Sequence, residues 1–124
     1  MIRKMFPLVV VLALMAGALF AQDKTVTLTG YLIDHRCAAN HEKDKAFGTW
    51  VKTHGTSCAT MEACEKSGYG VVVGEKLYKF DDAGNTSAAD LLKNTKSKKG
   101  LHVKAEGTVD GDTLKVTKLP EVTE

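Results

Sequence analysis

The chain has 124 residues and a formal charge of +2, from 17 Lys and Arg against 15 Asp and Glu. That length allows one domain with a modest core and leaves no room for a catalytic domain plus a separate cofactor domain. The near-neutral balance argues against non-specific nucleic-acid binding, which needs an excess of cations to neutralise phosphates.

The first residues, Met1-Ile2-Arg3-Lys4, make a short basic start. Phe6 to Phe20 is apolar and uncharged, and Ala18-Leu19-Phe20-Ala21 places a small residue before the polar Gln22-Asp23-Lys24. This is the pattern of a secretory signal peptide over residues 1–21. The apolar run is short for a membrane span, so none is expected after cleavage. Removing Arg3 and Lys4 brings residues 22–124 to zero net charge. The expected location is periplasmic or secreted, where disulfides persist.

Thr25 to Ile33 alternates Val26, Leu28, Gly30 and Leu32 with polar neighbours and predicts a half-buried strand. Gly30 within it predicts a bulge, a bend or a close backbone approach. Residues 34–68 break the period and hold every Cys and the only Trp. Phe47, Trp50, Val51 and His54 share one helical face, with Gly55 placed to end that helix. Ser57 is expected to cap a second helix through Cys58, Met61 and Cys64, ended by Gly68. Tyr69–Val73 and Lys76–Phe80 read as strands joined by a Gly74-Glu75 turn. Asp81 to Asn85 reads as a turn cluster, followed by a helix starting at Thr86 or Ser87. Its lysine-rich end, Lys93, Lys96, Lys98 and Lys99, suits a helix C-terminus. Leu101 to Val109 and a segment marked by Leu114, Val116 and Leu119 give two last strands around Asp110-Gly111-Asp112. Residues 120–124 are expected to form a flexible tail.

Five strands with a helix between the third and fourth predict a five-stranded OB-like barrel, mainly β with short helices (α+β) and a Cys-rich insert after the first strand. A five-stranded meander with helices on one face is the rival.

The chemistry lies in the insert, where His35, Cys37, His41, His54, Cys58, Met61 and Cys64 are the candidates. One reading is a disulfide from Cys37 to Cys58 or Cys64, clamping the insert to the barrel. Cys58 and Cys64 are not expected to pair with each other, because six residues of continuous helix rise ~9 Å. A second reading is a metal site drawn from Cys37, His41, His54, Cys58 and Cys64. Three thiolates and an imidazole suit Zn, whereas a Cys58, Met61, Cys64 arc suits Cu(I). A third is thiol catalysis, which finds no Cys-x-x-Cys pair and no acidic partner for a His54–Cys58 dyad. His54 and Met61 also read as ordinary packing residues, and the Asp81 region lacks the distal Glu of a calcium loop.

Gly30-Tyr31-Leu32-Ile33-Asp34-His35-Arg36-Cys37, Cys58-Ala59-Thr60-Met61-Glu62-Ala63-Cys64 and Ser67-Gly68-Tyr69-Gly70-Val71 carry a resemblance. On these motifs the sequence resembles an uncharacterised family of small exported bacterial proteins. The resemblance implies a small barrel with a Cys-rich insert and implies no activity or ligand. The expected function is an exported, non-catalytic binding or structural module of the bacterial cell envelope, stabilised by a disulfide and partnered by an envelope protein or a small ligand. Metal binding and thiol-dependent catalysis are the alternatives.

Overall fold

A computed structural model describes residues 25–122. The expected export signal at residues 1–21 lies outside them, as do the last two residues of the tail. The strands are β1 (Thr25–Asp34), β2 (Tyr69–Val73), β3 (Lys76–Phe80), β4 (His102–Asp110) and β5 (Thr113–Lys118). They close a barrel in the order β1-β2-β3-β5-β4. Closure uses antiparallel pairing of β1 with β4 and a short parallel pairing of β3 with β5, Lys79 opposite Thr113 and Phe80 opposite Leu114. Helix α5 (Asp82–Asn94) crosses between β3 and β4. This is the expected OB-like barrel; the one-sided meander is excluded by closure.

The main core fills the barrel and the space beneath α5. Leu32, Val71, Phe80, Leu92, Leu101, Val103 and Leu114 all belong to it. At Gly30 the predicted close approach is present, because an added Cβ would drive into the Val72 carbonyl.

The insert consists of short pieces: α1 (His35–His41), α2 (Phe47–Trp50) continuing as a 3-10 turn at Val51–Thr53, α3 (Thr56–Ala59) and α4 (Glu62–Ser67). Helices this short are not stable alone and are held by packing. Phe47, Val51 and Ala38 press onto Ile33 and Val72, forming a second cluster outside the barrel. Hence β1 is apolar on both faces at its C-terminal end, and alternation stops where the insert covers the sheet.

Three expectations are corrected. The helix expected through Cys58 and Cys64 is broken, with Met61 extended (φ −63°, ψ 144°) as N-cap of α4. The Tyr69 hydroxyl donates to the Ala59 carbonyl at 2.7 Å, the group a continuous helix would use for its own ladder. Helix α5 starts at Asp82, not Thr86 or Ser87, because Asp81 caps it. The tail is not free through residue 122: Pro120 and Val122 hydrogen-bond with Lys104 and His102, and Glu121 accepts from Thr95 and Ser97.

Asp81 Oδ1 accepts from Gly84 N at 3.0 Å and Val116 N at 3.1 Å, joining the start of α5 to β5. Asp81→Ala should therefore cost about 1–2 kcal/mol. Urea unfolding checks this, and a loss under ~0.5 kcal/mol would mean water replaces both bonds without penalty.

Candidate metal centre

Asp34 ends β1 and caps α1. Its extended backbone (φ −79°, ψ 152°) turns the chain into the helix, and Oδ2 accepts from Cys37 N at 2.9 Å. The cap fixes the spacing Asp34-x-x-Cys37 and holds carboxyl and thiol on the same side of the first turn. Cys64 occupies the equivalent place in α4, three residues after its own N-cap. The two helices are tied end to end, with His35 N donating to Gly68 O at 2.9 Å and Arg36 N to Ser67 Oγ at 3.2 Å. Gly68 has φ 90°, a conformation that suits glycine, and its missing Cβ leaves room for the His35 ring.

The result is a convergent group. One ligand atom each of Asp34, Cys37 and Cys64 lies within 4.8 Å of the others, and this is the group of that kind found among the described residues. Asp34 is fully buried, Cys64 is buried and Cys37 is half-buried. His54 arrives from the end of the 3-10 turn, anchored by Gly100 N donating to its carbonyl at 2.9 Å. Its Nε2 stands 3.4 Å from Asp34 Oδ1. Neither atom has a hydrogen-bond partner, although both are buried. Unpartnered buried polar atoms cost ~1–3 kcal/mol each, so two facing each other call for an explanation.

The electrostatics favour neutral side chains around the carboxyl group. Burial pushes the Cys37 thiol from an ordinary 9.0 to about 12, with Asp34 next in weight and Cys64 and Cys58 adding to it. Burial, then Asp34, also raises Cys64. Burial lowers His54 below its ordinary 6.5, outweighing the upward pull of Asp34. At neutral pH the two sulfurs are thiols and the imidazole is uncharged.

The structure thus gathers Cys37 and Cys64 from the candidates and sets His54 against Asp34, outside the group that shares the 4.8 Å limit. It adds Asp34, which in the sequence stands in a motif at a strand end with no ligand pattern around it. It leaves out His41, which stacks on Trp50 at 3.8 Å and bonds Asp44 Oδ2 at 3.0 Å. It also leaves out Cys58, which is exposed. Met61 is 59% exposed, so it does not pack in the core. His35 packs against Gly68, with its Nε2 buried and unpartnered. All three cysteines are free thiols, so the expected disulfide from Cys37 to Cys58 or Cys64 is not formed; the Cys37 and Cys64 sulfurs meet beside the Asp34 carboxylate unbonded. A cleft of about 550 Å³ runs between the insert and β3, lined by Glu42, Lys43, Phe47, Lys76, Lys79 and Asp112 among others. Its charges are mixed and none of these side chains is an unpartnered buried one, so it defines no chemistry comparable to the Asp34 group.

Fold and site together define a small closed barrel with an Asp34/Cys37/Cys64 group at the root of its insert and His54 against the carboxylate. Compared with known proteins, the chain matches no family model, no curated protein sequence and no solved structure. Among the described residues no helix is long and apolar enough to cross a membrane.

Proposed function

We propose that the protein is an exported, non-catalytic module that binds one zinc ion through Asp34, Cys37, His54 and Cys64. The observation carrying this reading is the convergence of Asp34, Cys37 and Cys64 within 4.8 Å, with the unpartnered His54 Nε2, 3.4 Å from the unpartnered Asp34 Oδ1, as the carboxylate's other contact. In a tetrahedral site with Zn–O and Zn–N bonds of roughly 2.0–2.1 Å, the oxygen and nitrogen ligands stand roughly 3.3–3.4 Å apart. A cation between them would satisfy both atoms and would replace the protons on Cys37 and Cys64. Two thiolates, an imidazole and a carboxylate suit zinc, whereas Cu(I) favours thiolates and thioethers. Four protein donors also fill a tetrahedral shell, which is the arrangement of a structural site rather than a catalytic one. The ligands come from the end of β1, from α1, from α4 and from the 3-10 turn, so the ion would pin the insert to the barrel.

A simpler competitor is a buried Asp34–His54 contact that serves packing alone, favoured by the cap Asp34 already provides to α1. Zinc titration separates the two. The reduced mature protein should retain about one zinc per chain after dialysis, and cobalt in its place should show tetrahedral bands with thiolate charge transfer. Structural zinc sites in finger peptides are worth on the order of 10–16 kcal/mol, so losing one of four ligands should weaken binding by roughly a hundredfold to a thousandfold. That loss is expected for Asp34→Asn, Cys37→Ser, His54→Gln and Cys64→Ser, and not for His41→Gln or Cys58→Ser. Asp34→Asn keeps an oxygen able to cap α1. If it lowers stability equally with and without zinc and leaves affinity unchanged, the packing role stands and the metal role falls.

A further inference from the structure

We infer that the same two sulfurs make the site a redox-controlled one, in which a small disulfide oxidant joins Cys37 to Cys64 and expels the metal. This rests on the zinc reading above and adds how the site is emptied. Cys37 and Cys64 are the two sulfurs that the fold brings within 4.8 Å, one from the first turn of α1 and one from α4, whose end is bonded to the α1 start. A disulfide bond is about 2.05 Å long, so the sulfurs need to approach by less than about 3 Å, a side-chain movement. Cys58 is exposed and stands outside this group.

The difference in exposure sets the order of events. Cys37 is half-buried and Cys64 is buried, so the oxidant meets Cys37 first. The Cys37 thiolate attacks one sulfur of the small disulfide. A protein–small-thiol disulfide forms, the oxidant's S–S bond breaks, and one small thiolate leaves. The Cys64 thiolate then attacks the Cys37 sulfur, forming the Cys37–Cys64 bond and releasing the second small thiolate. The two protein sulfurs lose two electrons and the oxidant gains them. Two of four ligands are consumed, and the zinc departs as the aqueous dication, leaving Asp34 and His54 without a shared ion.

The test uses the zinc-loaded mature protein, oxidised glutathione and a metal-indicator dye. Zinc content before oxidant reports on the metal reading alone. After oxidant, zinc should appear in solution in equal amount with a Cys37–Cys64 disulfide mapped by peptide mass, and a dithiol reductant should restore binding. Cys58→Ser should behave as the parent. Cys64→Ser should stop at a glutathione adduct on Cys37, even where that variant holds little zinc. Zinc that stays bound under oxidant while the free thiols remain overturns the redox inference and leaves the metal reading intact. So does release through a bond to Cys58 instead. A protein that never holds zinc overturns both.

Discussion

Zinc affinity should rise about a hundredfold for each unit of pH between roughly pH 7 and 8, two protons being released per ion bound. The sign follows from the thiols. Cys37 titrates at about 12 and Cys64 above the ordinary 9.0, both raised first by burial. Over that range both sulfurs carry protons in the empty site, and zinc must displace both to gain two thiolates. His54 adds no proton there, because burial holds its titration below 6.5. Lower in the acid range, below the His54 pKa, the imidazole contributes a third displaced proton and the slope steepens. Competition with a chelator of known pH dependence measures this directly. A slope of one decade per unit would mean that a single thiol ligates, and a flat profile would exclude thiolate ligation.

The second large effect lies away from the ligands. Phe47 is 1% exposed and packs with Ile33, Ala38, Val51 and Val72 where the insert meets the barrel. Phe47→Ala should cost about 3–5 kcal/mol, the transfer loss plus the cavity left behind. The cost should fall mainly on the insert, because the barrel interior has its own separate cluster. Amide exchange should therefore accelerate over residues 35–54 while β4 and β5 stay protected. Zinc affinity should drop as well, since Cys37 and His54 ride on the loosened segment. Uniform acceleration across the chain would instead make barrel and insert one cooperative unit.

Much of the barrel was legible because its strands obey simple alternation. Val26, Leu28 and Leu32, the Gly74-Glu75 turn and the run from Leu101 to Val109 each point to strands by period alone. The site was legible in part. Cys37, Cys64 and His54 stand out by type, but the set that completes them depends on two features that local sequence hides. Asp34 looks like any strand-end acid capping a helix, and its second oxygen becomes significant only when His54 arrives 3.4 Å away. Cys58 and Cys64 look like neighbours on one helix until the Tyr69 hydroxyl takes the Ala59 carbonyl and the chain breaks at Met61. His41 misled for a related reason. One helical turn separates it from Cys37, but its ring is occupied by Trp50 and Asp44. The Asp81 cluster reads as a turn because an Asp cap and a turn share the same residues; Gly84 belongs to the helix, where a side chain would strike Phe80 and Val116.

In the β1–β2 ladder Asp34 lies directly opposite Tyr69, and His35 N bonds Gly68 O just beyond. The excursion over residues 35–68 therefore leaves and rejoins the sheet at a single hairpin rung. Topologically it is a cassette spliced into a β-hairpin: a short reverse turn could bridge the same two positions without altering any strand pairing. Conversely, the cassette could be transplanted into another antiparallel hairpin with a matching rung, provided the host offers an apolar outer face where Ile33 and Val72 now lie and a backbone segment to bond Thr56 and the His54 carbonyl as Lys98 and Gly100 do.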